Sequence, residues 1–330
     1  MRYLLVDTAN TFFRARHAAH RQADTWDRLG FAIHVTLNSV SKAFRDQKAD
    51  HVIFCLEGRS WRKDFYAPYK ANRAVARAAL TEKEQEEDQL FWESFDNLKD
   101  FLGNRTNCTV LQHSNLEADD LIAGWIQSHP DDHHTIVSSD TDFYQLLADN
   151  VNQYNGIADE LHTITGIFDK KGKPVIDKKT KEAKVIPDPK WILFEKCMRG
   201  DPTDNVFSAY PGVRKKGTKN KVGLEEAFSD RETKGFAWNN LMLQRWTDHN
   251  DAEHRVLDDY NRNVTLVDLT AQPDTVKQQI AETIATNAVP LNRPMVGAQF
   301  LKFCGKYDLI KMSEQSDSYV RFLEKSYPEK

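Results

Sequence analysis

Acidic residues recur at the ends of short apolar runs in this chain. Tyr3-Leu4-Leu5-Val6 ends in Asp7, and His51 to Leu56 ends in Glu57. Thr135 to Ser139 ends in Asp140, with Asp142 close behind. Glu117-Ala118-Asp119-Asp120 opens an apolar helical pattern, and Gly200-Asp201-Pro202-Thr203-Asp204-Asn205 closes another. Short buried strands that end in carboxylates line them along one edge of a parallel sheet, the edge where open α/β sheets bind ligands. So many anions on one rim require cations. The simplest are hard divalent metals such as Mg²⁺ or Mn²⁺, which take oxygen ligands. Two such ions about 4 Å apart can activate a water and stabilise the leaving oxygen of a phosphodiester. Spare carboxylates would then hold metal-bound waters.

Taken singly, each acid has a plainer role. Asp7 before Thr8-Ala9-Asn10 reads as a helix cap, and Asp140 as the cap of the turn before Phe143. Glu117, Asp119 and Asp120 complement a helix dipole. Their coincidence within one α/β pattern favours the metal site.

The elements that must position these acids follow from periodicity. Residues 1–150 alternate strands with helices: a helical pattern over Phe31 to Phe44, the strand at 51–56, and a long helix near Thr81 to Phe101. A short strand at Cys108 to Leu111, a helix over Leu121 to Ile126 and the strand at 135–139 follow. This predicts an α/β fold with a central, mostly parallel twisted sheet and helices on both faces. Ile164, Ile167, Val175 and Val185 flank lysine-rich turns, so residues 162–186 read as a solvated β-hairpin, with nucleic-acid contact by Lys170 to Lys184 as the alternative. From Trp191 onward the patterns are mostly helical. The expected organisation is a metal-dependent core over residues 1–205 and a helical region over residues 206–330.

Composition sets the bounds. The chain has 330 residues, 40% of them hydrophobic, enough for a sizeable core. No apolar run approaches the roughly 18–20 residues that span a bilayer. Leu4-Leu5-Val6, broken by Asp7, is a strand rather than a signal peptide, and the 4 cysteines form no C-x-x-C pair. A reducing cytoplasm is the expected compartment. His133-His134 reads as a pair of surface imidazoles. The net charge of −4 argues against nucleic acid, but bases concentrate in Arg59 to Arg77, Lys170 to Lys184 and Arg214 to Lys221. Basic stretches beside an anionic metal pocket suit a polyanion whose backbone is cut. Other phosphoryl-transfer readings fail: Ala9 stands where a phosphatase or a proofreading exonuclease would want a second acid, and no phosphate-binding Gly-Lys loop is present.

These blocks, in this order, resemble the 5′-nuclease family of flap endonucleases, polymerase-associated 5′-nuclease domains and phage 5′→3′ exonucleases. Within it they most resemble the ribonuclease H of T-even-like phages. Leu5-Val6-Asp7, Phe54 to Arg62, Tyr69-Lys70-Ala71-Asn72-Arg73, Glu117 to Asp120, Ser138 to Phe143 and Gly200 to Asn205 carry the resemblance. It implies one metal on Asp7, Glu57, Asp119 and Asp140, with Glu117 nearby, and another on Asp120, Asp142, Asp201 and Asp204, largely through water. It places Lys70 and Arg73 at the scissile phosphate, with Tyr69 and Arg77 in a helical arch over about residues 65–105. Pro211-Gly212-Val213 followed by Arg214, Lys215, Lys216, Lys219 and Lys221 resembles a helix–hairpin–helix that cradles duplex phosphate, with a spacing that departs from the family's usual one. Glu57 stands where the family usually has Asp.

The implied activity is a two-metal 5′→3′ nuclease acting on RNA–DNA hybrid, nicked duplex and flaps, for primer removal in phage replication. The chain is expected to be monomeric. A single-stranded-DNA-binding protein or a sliding clamp is an expected partner of Tyr260 to Leu301, although no residue pattern there points to either. The rival is a non-catalytic, structure-specific nucleic-acid binder on the same fold. An inactive relative should have lost some of these acids, and here each position is filled.

Overall fold

The apolar runs that end in acids form the centre of one sheet. The computed structural model describes residues 1–18 and 25–328, which fall into two compact units. The first comprises residues 1–60, 80–186 and 275–330, and the second residues 61–79 and 187–274.

In the first unit, β1 (Arg2–Asp7), β2 (His51–Cys55), β3 (Thr109–Leu111), β4 (His133–Val137), β5 (Val151–Asn155), β6 (Glu160–Thr163) and β7 (Gly166–Asp169) form a seven-stranded sheet. Its order is β3-β2-β1-β4-β5-β6-β7. The strands from β3 to β5 are parallel neighbours, and β6 and β7 add on antiparallel. Leu4, Leu5, Val6, Ile53 and Phe54 are wholly buried, as central parallel strands covered on both faces require.

Helices α1 (Thr8–Ala18) and α2 (Thr25–Asp46) follow β1. After β2 the chain passes through α3 (Arg62–Phe65) and α4 (Ala71–Ala78) of the second unit, then returns with α5 (Glu82–Arg105) to β3; α6 (Ala118–Ser128) leads to β4. The path runs outward from β1 to β3, then comes back to β4 on the far side of β1. Right-handed crossovers place α2 and α5 on one face and α6 on the other. The reversal opens a crevice at the carboxyl ends of β1 and β4.

The second unit continues with α7 (Pro189–Arg199), α8 (Leu224–Ser229), α9 (Phe236–Met242), the hairpin β8 (Arg245–Thr247) and β9 (Glu253–Arg255), and α10 (Val256–Val267). Phe194, Met198, Leu224, Trp238 and Met242 form its core. The β8–β9 hairpin departs from the helical expectation. Trp246 fixes it by stacking on His254 at 4.4 Å and donating to the Ala209 carbonyl at 2.9 Å.

Helices α11 (Asp274–Asn287), α12 (Val296–Lys306), α13 (Ile310–Glu314) and α14 (Ser316–Leu323) close the chain. Phe300, Phe303, Tyr319 and Phe322 share one core with Phe12, Phe54, Phe91 and Phe95. Each such ring contributes about 1.5–3 kcal/mol on burial. This packing puts residues 275–330 in the first unit, so the compact units do not follow chain order.

Other details depart from expectation. The expected hairpin over residues 162–186 is in part main sheet: β7 pairs antiparallel with β6, and β5, which the sequence reading did not mark, joins them to β4. His134 is a buried strand residue stacked on Tyr3, and only His133 is exposed. Thr81 and Glu84 form the capping box of α5, and Phe91, Phe95, Leu98 and Leu102 bury its later turns. Within the expected arch, the long exposed stretches are residues 71–79 and 81–86; from Phe91 on, exposed and buried residues of α5 interleave. The four cysteines are free and buried. No helix among the described residues is long and apolar enough to cross a membrane.

Candidate metal centre

The predicted acids of the first unit sit at strand ends or helix starts, and Asp7, Glu57, Glu117, Asp120 and Asp140 each accept a hydrogen bond from a neighbour. Asp7, the last residue of β1, is 5% exposed. Its carboxylate accepts from the Ser138 hydroxyl at 2.9 Å and from the Asn10 amide at 3.2 Å. Ser138 also accepts from the Asp140 amide at 3.1 Å, and Asp140 caps the 3-10 turn Thr141–Leu146 by accepting from the Asp142 amide at 3.0 Å. Asn10 accepts from both the amide and the hydroxyl of Ser139. From β5, the buried Gln153 donates to the carbonyls of Ser138 at 2.9 Å and Asp140 at 2.7 Å. The end of β1, the first turn of α1 and the loop after β4 are thus tied into one structure.

A second group of acids gathers after β2. Glu57 is exposed, and its carboxylate accepts from the Ala118 amide at 3.3 Å, at the start of α6. Gly58 lets the chain approach that helix. Its amide donates to the Leu116 carbonyl at 2.8 Å, and a Cβ there would stand 2.0 Å from the His113 carbonyl oxygen. Glu117 is buried and accepts from the Ser60 hydroxyl at 2.7 Å, while its amide donates to Asp120 at 3.1 Å. Cys55 is the register partner of Asp7. Burial pushes its thiol well up, and the charges of Asp7, Glu57 and Asp119 push it further. Those three carboxylates therefore lie near enough to Cys55 for their charges to act on it. The reaction of a thiolate is closed to this cysteine.

The remaining predicted residues lie in the second unit. Asp201 accepts from the Thr203 amide at 2.8 Å and pairs with Lys196 at 2.8 Å. Burial pushes its carboxyl up, but Lys196 and the amides of Thr203 and Asp204 outweigh this and hold it below its usual value. Gly200 makes the turn possible: its φ is 77°, and a Cβ would stand 2.3 Å from the Val206 carbonyl oxygen.

Asp204 draws the Tyr-Lys-x-Asn-Arg run around itself. It accepts from the Tyr69 hydroxyl at 3.0 Å and from Arg73 at 2.8 Å, and Lys70 lies 3.5 Å away. The Lys70 amide donates to the Asp204 carbonyl at 2.8 Å, and the Asn205 side chain donates to the Pro68 carbonyl at 2.7 Å. Lys70 and Asn205 hold left-handed backbone, with φ of 54° and 56°. Such strain persists where surrounding structure over-determines it, which is common at functional sites. Tyr69, expected at a nucleic-acid surface, is 3% exposed, so its ring is a packing element and its hydroxyl an orienting group for Asp204. Arg73 and Arg77 lie on α4, where every residue is exposed.

Arg214, Lys215, Lys216, Lys219 and Lys221 are exposed as expected. Two glycine amides of this loop are engaged within the protein. Gly217 and Gly223 each donate to the Glu226 carboxylate at 2.9 Å, because the first turn of α8 carries that acid beneath the loop. Lys215 and Lys216 stand 4.0 and 3.8 Å from Glu225.

Sequence reasoning missed the groups that hold the acids: Asn10, Ser60, Ser138 and Gln153. Ser138 carried a signal, a hydroxyl residue at a strand end just before an acid. Gln153 carried a weaker one, a polar residue in an alternating run.

Residues 2–180 match the family model described as the 5′-3′ exonuclease, N-terminal resolvase-like domain. Over 263 residues the chain is 27% identical to a DNA polymerase I of Rhizobium leguminosarum, a match that covers 76% of this chain and 22% of that polymerase. The chain thus spans under a quarter of the length of this relative. A bacteriophage T5 flap endonuclease variant, solved as a pseudo-enzyme–product complex with DNA and metal ions, superposes with a TM-score of 0.56 at 17% identity, covering 87% of this chain and 98% of that one. The T5 5′-exonuclease with bound zinc superposes with a TM-score of 0.57 at 18% identity, covering 88% of this chain and 100% of that one. At these identities the structural likeness shows a shared fold.

Proposed function

Because the chain belongs to the 5′-3′ exonuclease family through its N-terminal resolvase-like domain, we propose that it is a metal-dependent 5′→3′ nuclease. Its substrates on this reading are 5′ flaps, nicked duplex and RNA–DNA hybrids, and its work is removal of RNA primers and flaps during phage DNA replication. The observation that carries the proposal is a set of acids fixed at the carboxyl ends of neighbouring parallel strands: Asp7 after β1 and Asp140 after β4, tied to the same Ser138, and Glu57 after β2, held by the Ala118 amide.

The donor set suits hard divalent ions, since all of these side chains offer carboxylate oxygen. Asp7, Glu57, Asp119 and Asp140, with Glu117 beside them, are the proposed ligands of one Mg²⁺ or Mn²⁺. Asp120 and Asp142 in the first unit, and Asp201 and Asp204 in the second, are the proposed carboxylates for a second ion, acting mostly through water. When bound, the metals would supply an activated water and stabilise the leaving oxygen. The chain's own part is to fix its carboxylates before substrate arrives. Ser138 holds Asp7, Ser60 holds Glu117, and the Ala118 amide holds Glu57. Lys70 and Arg73 are the proposed phosphate contacts, the first a point charge and the second a planar fork.

The test is digestion of 5′-labelled flap, nicked and hybrid substrates with and without Mg²⁺. Metal-dependent release of short 5′ products is expected. Tight binding with no product in either Mg²⁺ or Mn²⁺ would make the protein a structure-specific binder instead.

A further inference from the structure

The sheet topology gives one lysine-rich turn a place that the sequence could not assign. β5 runs parallel to β4, β6 runs antiparallel to β5, and β7 runs antiparallel to β6. β7 therefore points the same way as β1 and β4, and its last residue, Asp169, opens onto the edge that carries Asp7 and Asp140. The turn that follows holds Lys170, Lys171 and Lys173, all exposed. It lies three strands from β4, about 14 Å at the usual strand spacing of about 4.8 Å. That distance matches about four base-pair steps of duplex DNA at about 3.4 Å each.

Three lysines and one acid, Asp169, leave this turn net positive. Asp169 accepts from the amides of Lys171 and Lys173 at 2.8 and 2.9 Å, and these bonds hold its carboxyl below the usual range. Nearby, Asp159 is paired with Lys42 and accepts from Tyr154. Among the described residues, Lys170, Lys171 and Lys173 form no ion pair, in contrast to Lys215 and Lys216 in the second unit.

From Lys173 the chain runs back antiparallel to β7, as the Phe168–Pro174 bridge shows. The next turn, with Lys178, Lys179 and Lys181, therefore faces the opposite edge of the sheet. This turn carries two acids, Asp177, which accepts from the amides of Lys179 and Thr180, and Glu182. Each turn exposes three lysines, but the second carries two acids, Asp177 and Glu182, against the single Asp169 of the first, and the two face opposite edges.

We propose that the Asp169–Lys173 turn binds the phosphate backbone of the nucleic-acid substrate a few nucleotides from the carboxylate edge, whereas the Asp177–Glu182 turn does not. This rests on the reading of that edge as a nuclease centre. The test compares K170Q/K171Q/K173Q with K178Q/K179Q/K181Q in the full chain, using a fluorescein-labelled 5′-flap duplex without divalent metal across a KCl series. The first variant should bind about tenfold more weakly at 0.1 M KCl and lose about 2 to 3 from the slope of log affinity against log salt, since each phosphate contact carries about 0.9. The second should match wild type in both. Wild-type affinity and slope in the first variant, or equal losses in both, would overturn the proposal and leave the nuclease reading standing if wild type still cuts the flap in Mg²⁺. A wild type that neither binds nor cuts the flap would overturn both.

Discussion

The carboxylate rim of the first unit and the lysine turn of the second are both concentrated charge, yet they are built in opposite ways. On the rim, Asp7 and Glu117 are buried and each accepts from a neighbouring serine hydroxyl within 2.9 Å. On the turn, Arg214 to Lys221 reach into solvent, and the nearest acid to Lys215 and Lys216 is Glu225 at 3.8 to 4.0 Å. Charges that must meet a metal or a reacting atom need fixed positions, and they acquire them by losing freedom to packing. Charges that hold a polyanion need only nearness, and burial would cost them more than it gained. Loss of one rim group should therefore stop chemistry while sparing binding. Loss of turn charges should weaken binding by graded amounts and spare chemistry.

The sharpest way to break this contrast is Asp140→Asn. The change keeps volume and removes one charge from the rim, while Lys70, Arg73 and the lysine turn remain. Cleavage of a labelled flap in Mg²⁺ should fall to background, with affinity measured in its absence unchanged. A near wild-type cleavage rate would remove Asp140 from the metal ligands.

Lys70→Ala probes the boundary between the two kinds of site. Lys70 is a basic residue, yet it is packed and constrained like the rim acids, with a left-handed backbone and Asp204 at 3.5 Å. A preorganised charge of this sort is worth about 10²-fold in the chemical step. Single-turnover cleavage should drop by about that factor with a much smaller change in affinity. Weakened affinity at an unchanged rate would place Lys70 with the exposed bases.

Ser138→Ala tests whether fixing the rim matters as much as its charge. The hydroxyl donates to Asp7 and accepts from the Asp140 amide, so its loss loosens both acids without changing charge. Residues that orient metal ligands typically cost about 10–100-fold in metal affinity, so about tenfold more Mg²⁺ should be needed for half-maximal cleavage. Recovery of the full rate at high Mg²⁺ is expected. An unshifted Mg²⁺ titration would mean that Asp7 and Asp140 hold their positions without Ser138.

How far the sequence revealed these regions follows the same division. The rim acids were legible because each adjoins the strand that places it: Asp7 after Tyr3 to Val6, Asp140 after Thr135 to Ser139. Their supports were not, because the contacts join residues far apart in the chain. Ser138 meets Asp7 across 131 residues, and Ser60 meets Glu117 across 57. β5 escaped notice because Val151-Asn152-Gln153-Tyr154-Asn155 is too polar for a central strand, although Gln153 is wholly buried. Phe91, Phe95, Leu98 and Leu102 were legible as a helix but not as a helix that leaves the arch for the core. In the basic turn, composition showed the lysines. It could not show that Glu226, only a few residues on, would take the amides of Gly217 and Gly223.

The smallest single-site effects are expected on the turn, where neutralising Lys215, Lys216, Lys219 and Lys221 together should weaken duplex binding and flatten its salt dependence. Bare contacts would each contribute about 0.9 to the slope of log affinity against log salt. Glu225 already stands beside Lys215 and Lys216, so the combined loss should fall below the about 3.6 of four bare contacts. Exposed pairs at such distances are weak, about 0–1 kcal/mol, so most of the slope should still be lost. Cleavage of bound substrate at low salt should be unchanged, because the rim keeps its own supports. Fluorescence anisotropy over a KCl series reads the slope, and single-turnover cleavage at low salt reads the chemistry. An unchanged slope would make the turn a solvated loop and shift the duplex contact elsewhere. A lost cleavage rate at saturating enzyme would mean that these exposed lysines act on the reaction itself, and the contrast between fixed and merely nearby charge would fail.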